Sequence, residues 1–238
     1  MLETSAPSPV KKKQRKYTVY FGGESFSLKH LIGNAWLAEA IYERSVGRYE
    51  CVLPQDFVPG GRTARAMRDH SLRHLVRCDA AIFCFDGADL ESGTVVEFMF
   101  AKFADIPTVL LRTDGRHGGD SRPLPWNVMA TGFPRTTTVL VHSLAQYRSR
   151  VQKRRVDDAV RLAAQYGSAT AQEVCEHTAA LCVRGLDRVT AIPPTMPKHL
   201  RLEAYQWLAQ LPALRGKQKS VRKEFESYLE AKVERDLL

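Results

Sequence analysis

The stretch "AAIFCF", residues 80–85, constrains the fold of this chain more than any other six residues. It is apolar at every position. A strand with one wet face alternates apolar and polar residues, so an unbroken run of this length marks a strand covered on both faces. Strands of that kind belong to parallel sheets with helices above and below. "PTVLLR" at 107–112 repeats the pattern, and "YTVYF" (17–21), "ECVLP" (50–54) and "TTTVLV" (136–141) are shorter strand candidates, the first ending at Gly22-Gly23 and the second at Pro54.

The segments between the strands have helical spacing. "HLIGNAWLAEAIYERS" (30–45) predicts a helix that turns Leu31, Ile32, Ala35, Trp36, Ala38 and Ile41 inward. "RTARAMRDHSLRHLVRCD" (62–79) predicts a second, with Ala66, Met67, Leu72, Leu75 and Val76 inward. "SGTVVEFMFAKFAD" (92–105) predicts a third, with Ser92 as its N-cap. Strict alternation of strand and helix implies right-handed crossovers and a doubly wound α/β fold, flavodoxin- or Rossmann-like, on a five-stranded parallel sheet. Ligands of such sheets sit beyond the carboxyl ends of the strands. The loops "GGESFS", "PQDF", "DGADLESG" and "RTDGRHGGD" are where chemistry is expected.

The α/β pattern fills residues 17–145. Residues 1–16 precede it as a disordered basic leader, with five cations in "KKKQRK" that account for much of the net charge of +9. From residue 146 to 238 every segment reads as helix, a C-terminal extension in which Leu200, Leu202, Tyr205, Trp207 and Leu211 are expected to dock on the α/β domain. The leader and the basic run "RSRVQKRR" (148–155) are the places where nucleic acid would bind. No run approaches the roughly 20 apolar residues of a membrane span, so no membrane partner is expected. Five cysteines without a C-x-x-C pair support neither a disulfide framework nor zinc, and point to reduced thiols in the cytoplasm. No metal or cofactor is expected. His70 and His74 share a helix face but lack a third ligand.

One residue stands out against its surroundings. Glu97 follows Val95 and Val96 and precedes Phe98, Met99 and Phe100. A carboxylate in apolar company costs free energy unless it has partners, and its basicity is tuned by that company. It lies one helical turn beyond Gly93, after a loop that also carries Asp86, Asp89 and Glu91. Paired carboxylates at one small pocket are the requirement of glycosidic chemistry.

The segment "DGADLESGTVVEFMFAKFADIPTVLL" resembles the nucleoside 2-deoxyribosyltransferase family, whose members carry G-T-x-x-E at this place. "VYFGGESF", "HLIGNAWLAEAI", "CVLPQD" and "PWNVMATG" resemble further segments of that family, in the same order, so the resemblance spans about residues 17 to 142. It implies cleavage or transfer at the N-glycosidic bond of a (2′-deoxy)nucleoside or nucleotide, through a covalent glycosyl-enzyme on Glu97, with an acceptor base or water completing the reaction. It also implies a homo-oligomer in which Asn127 serves the neighbouring subunit's site. Tyr20, Phe21, Gly22 and Gly23 would shape the base pocket, Asp89, Ser92 and Gly93 would line the sugar, and Asp86 would be an acidic group at the end of the third strand. Two positions depart from the family. Glu91 stands where an aspartate holds the sugar, and Ser71 where an aspartate exchanges a proton with the base; Asp69 lies two residues earlier, on another helix face. Those departures imply an alternative, a weakened or inactive relative that serves as a nucleotide-binding or ribonucleoprotein-associated scaffold.

Overall fold

The computed structural model describes residues 15–57, 63–87, 89–115, 126–211 and 218–238. Five strands, β1 (Tyr17–Gly22), β2 (Tyr49–Val52), β3 (Ala80–Cys84), β4 (Thr108–Arg112) and β5 (Thr136–Leu140), form one sheet in the order β2-β1-β3-β4-β5. All four pairings are parallel. The fold is a doubly wound α/β fold of the flavodoxin-like order, whose switch point lies between β1 and β3.

Strand periodicity divides the core in two. Val19 and Phe21 of β1, Ile82 of β3 and Val109 and Leu111 of β4 face α1 (Leu28–Arg44) and α6 (Gly167–Thr190). Tyr20, Ala81, Phe83 and Leu110 point the opposite way, towards α2 (Ala64–Arg77) and α3 (Ser92–Phe103). Gly185 lets α6 lie close on the sheet, since a Cβ there would stand 3.2 Å from Val109 and 3.3 Å from Val139.

The C-terminal helices are layers of this core. After α4 (Ser143–Lys153) and the single turn α5 (Ala159–Arg161), which runs through a short π-helical stretch, α6 covers one sheet face beside α1. Helices α7 (Arg201–Leu208) and α8 (Gln218–Glu234) pack over α2 and α3 on the other. Tyr205, Leu208, Val221, Phe225 and Leu229 are buried there. Polar ties fix the same contact. Buried Asp105 accepts from Thr195 N (2.8 Å), Thr195 Oγ1 (2.9 Å) and Met196 N (2.8 Å). Arg235 pairs with buried Asp79 at 2.7 Å, and buried Lys232 donates to the Cys78 carbonyl. Burial pushes Lys232 down to about 8. Of the expected docking residues, Tyr205 is buried and Leu211 partly so, whereas Leu200, Leu202 and Trp207 are exposed.

Several helix details differ from the sequence expectation. Helix α1 buries Leu37, Ala38 and Ile41, while Leu31, Ile32, Ala35 and Trp36 lie on its solvent side, because the helix is apolar over more than one face. Met67 is exposed on α2. The run 146–167 is broken: Arg155 adopts a positive φ of 51° after α4, and the chain turns before α5. Of the leader, only Arg15 and Lys16 fall among the described residues. Among those residues no helix is long and apolar enough to cross a membrane.

Candidate functional site

The third helix starts where the loop after β3 turns outward, and its cap decides the layout of the site. Glu91 is extended (φ −65°, ψ 123°) and is the N-cap. Its carboxylate accepts from Gly93 N (2.9 Å), Thr94 N (2.5 Å) and Thr94 Oγ1 (2.7 Å). Ser92 is therefore the first helical residue, exposed, and not the cap expected from the sequence. The role expected for Gly93 changes for the same reason. A Cβ at Gly93 would lie 3.1 Å from the Glu91 carboxylate oxygens, so the space that glycine leaves is taken by the cap. Burial works to raise the Glu91 carboxyl, but its hydrogen bonds to Gly93 and Thr94 outweigh that and hold it below its ordinary range.

Two turns of register bring Glu97 to the carboxyl end of β1. It is half-buried, and its Oε1 accepts from the Tyr20 hydroxyl at 2.7 Å. Its Oε2 faces Gly22, where an added Cβ would stand 3.0 Å away and would also meet the Phe83 ring at 2.6 Å. Gly22 thus lets the carboxylate and the Phe83 ring pack directly on the β1 backbone, where a side chain would not fit. Burial pushes the Glu97 carboxyl up to about 7, the Tyr20 hydrogen bond opposes that rise, and nearby Glu91 adds to it. Tyr20 is itself held well above the ordinary phenol range, first by burial and then by the Glu97 charge; the Ser71 hydroxyl beside it works in the other direction. Glu97, Tyr20, Gly22, Glu91 and Ser71 are therefore one cluster, at the β1/β3 switch point.

The remaining expected residues are placed elsewhere. Asp86 is a loop tie: its carboxylate accepts from Thr113 N (2.6 Å), Thr113 Oγ1 (2.5 Å) and Asp114 N (3.0 Å), joining the ends of β3 and β4. Asn127 caps its own turn, with Oδ1 accepting from Ala130 N at 2.9 Å. Asp89 is exposed. Asp69 pairs with neighbouring Arg68 at 3.6 Å and is not among the groups that act on the Glu97 carboxyl. Gly23 packs on Cys84, 3.1 Å from a notional Cβ, and Phe21 turns into the α1/α6 core.

His70 and His74 are packed against Phe57, His74 stacked on it at 4.2 Å between ring centroids. Burial lowers the His74 imidazole, with His70 and Arg77 adding to it. Among the described residues no group of three His, Cys, Asp or Glu side chains is arranged to hold a metal. Arg112, at the end of β4, is buried and donates to the carbonyls of Phe85 (2.8 Å) and Gly87 (2.9 Å).

The structure adds a cleft of about 460 Å³ on the α1 side of the β1–α1 loop, lined in part by Glu24, His30, Asn34, Asp86 and Asp114. His30 Nε2 lies 3.3 Å from Glu24. The loops that supply these groups were marked by their places after strands, but only Asp86 was singled out, since nothing in the order of residues brings "GGES", α1 and "TDG" together. In the basic run, Arg150 and Arg154 are tied to Glu173 (3.6 and 2.7 Å), so two of its five cations serve the contact between α4 and α6.

No protein-family model matches the chain, and no curated protein does. Among solved structures it is similar to a conserved protein from Enterococcus faecalis V583, at 26% identity and a TM-score of 0.40, over 44% of this chain and 68% of that one. A likeness of that size carries no weight for the site.

Proposed function

We propose that the protein cleaves or transfers the N-glycosidic bond of a (2′-deoxy)nucleoside or nucleotide, with Glu97 as nucleophile. The observation that carries this reading is the Glu97 carboxyl: half-buried at the carboxyl end of β1, held by the Tyr20 hydroxyl through Oε1, with Oε2 lying beside the Gly22 backbone and not among the atoms that accept a hydrogen bond from Tyr20. A carboxyl near 7 is partly ionised at neutral pH and basic enough to attack carbon. Oε2 forms a bond to the anomeric carbon as the carbon–nitrogen bond breaks, and the electron pair leaves with the base. The glycosyl ester is then opened by an acceptor base or by water, which restores the Glu97 carboxylate.

Glu91 is committed to the helix cap and Asp86 to the β3–β4 loop tie, so neither supplies a proton to the departing base. Serine and tyrosine hydroxyls are poor acids at neutral pH. Bases that depart readily without a proton are therefore the expected substrates. The same observation favours a second reading, a relative that binds a nucleotide with little or no turnover.

The test is base release from a panel of 2′-deoxynucleosides and their 5′-monophosphates, with and without an acceptor base, followed by chromatography, together with the intact mass of the quenched protein. Turnover absent from Glu97→Ala and a sugar adduct that maps to Glu97 are expected. Tyr20→Phe should slow release about tenfold at pH 7, as loss of a hydrogen bond to a charged group implies. Binding of a nucleotide by calorimetry with no release above the Glu97→Ala background, across the whole panel, selects the second reading.

A further inference from the structure

We infer that the solvent side of α1 is a self-association surface, on which two copies of the chain pair through antiparallel α1 helices about a twofold axis.

The observation is an apolar stripe that the fold leaves uncovered. Leu28 (72% exposed), Leu31, Ile32 (46%), Ala35 and Trp36 (45%) recur at helical spacing on the side away from Leu37, Ala38 and Ile41, and Phe26 is exposed just before them. Single exposed apolar residues are ordinary, but a contiguous stripe marks an interaction site. The stripe occupies the first half of the helix. Its second half is acidic, with Glu39 and Glu43 exposed, and it borders a groove of about 280 Å³ between α1 and α6. Trp36, Ala40 and Cys175 give that groove an apolar wall, and Glu39, Glu43 and Glu176 give it an acidic rim.

The groove calls for an apolar side chain flanked by a cation. The other end of α1 carries Leu28 beside the exposed Lys29. In a twofold interface a patch meets its own copy, so a helix whose two ends complement each other pairs antiparallel. With the axis passing near residue 34, Ile32 lies against the partner copy's stripe and Leu28 reaches the level of Ala40 in the other copy. Lys29 then meets Glu39. Lys29, Trp36, Ala40 and Glu43 are separated by seven, four and three residues, so they share one flank of the helix, the flank that faces α6. A twofold axis perpendicular to both helices keeps that flank on the same side in each copy. Lys29 is therefore delivered to the acidic rim and not to the opposite edge. One helix thus supplies both the occupant and its receptor, and a second copy of this chain is the partner the chemistry selects.

The test is sedimentation equilibrium of the full chain from about 1 to 100 µM. Wild type is expected to run at twice the chain mass at the upper end. Ile32→Glu should weaken association roughly a hundredfold or more, as loss of a central apolar contact does. Because both sites are exposed, Lys29→Glu and Glu39→Lys leave the core untouched. Each should weaken association about tenfold, and the double exchange should restore it, since the charges then meet with signs reversed. Far-ultraviolet circular dichroism of each variant checks that the fold is retained. A wild type that is monomeric at 100 µM overturns the inference and leaves the stripe to a different protein. An oligomer indifferent to all three single substitutions overturns it equally, because the contact then lies on another face.

Discussion

Replacing Glu97 by glutamine removes a carboxyl whose ionisation the fold opposes, and the effect on stability has a definite sign. In the unfolded chain this group titrates near 4.5, and in the folded protein near 7. Below pH 4.5 it is protonated in both states and costs nothing. Between 4.5 and 7 the folded state holds a proton that the unfolded state has lost, so stability falls as pH rises; above 7 the full cost remains. Each pH unit between the two values corresponds to about 1.4 kcal/mol, roughly 3 kcal/mol in all for a sealed group. Solvent reaches this carboxyl, which reduces the expectation to about 1–2 kcal/mol. Glutamine is nearly isosteric and keeps an oxygen for the Tyr20 hydroxyl, so its own stability should not follow the same curve. Urea unfolding of both proteins at pH 4.5, 6 and 8 measures the difference. Glu97→Gln should match wild type at the lowest pH and exceed it by about 1–2 kcal/mol at pH 8. A difference that stays flat across this range, or one that favours wild type at high pH, would refute the burial argument and with it the tuned nucleophile.

Three further outcomes follow from the geometry. Gly22→Ala places a Cβ against Phe83 and Glu97; it should lower stability by about 1–3 kcal/mol, measured by urea unfolding, and displace the carboxylate. Glu91→Ala leaves the amides of Gly93 and Thr94 without their cap and should cost about 0.5–2 kcal/mol in the same assay, with Glu91→Asp recovering part of it. A fragment of residues 1–145 lacks helix α6, which covers Val109 and Leu111, and helices α7 and α8, which pack over α2 and α3, so it should show no cooperative thermal transition and should bind a dye that reports exposed apolar surface.

The strands were legible because burial on both faces leaves a strong mark in composition, as "AAIFCF" and "TVLLR" show. Their order was not, since β2-β1-β3-β4-β5 depends on where each crossover helix packs. Glu97 was legible as a charge in apolar company, and Tyr20 as a position in the first strand. The direct bond between them was not, because it joins residues 77 apart in the chain. Helix α1 misled the reading because periodicity finds an apolar stripe without saying which of two stripes faces the sheet. The cap misled it for a local reason. Glu91 and Ser92 are adjacent, and only backbone dihedrals decide which is the last extended residue.

The place of α6 has a consequence for how the chain folds. A face of the sheet formed by residues 17–140 is completed by a helix that ends at Thr190, and the opposite side by residues beyond 200. The Val109 and Leu111 face of β4 acquires its cover from α6, some fifty-five to eighty positions later. Contacts of such sequence separation raise the relative contact order and slow folding, and during synthesis they leave Val109, Leu111 and Ile82 without their covering helix until the ribosome has passed α6. The nascent chain thus keeps apolar surface uncovered for longer than a sheet closed by its own crossover helices does, because one core is built from two distant halves of the sequence.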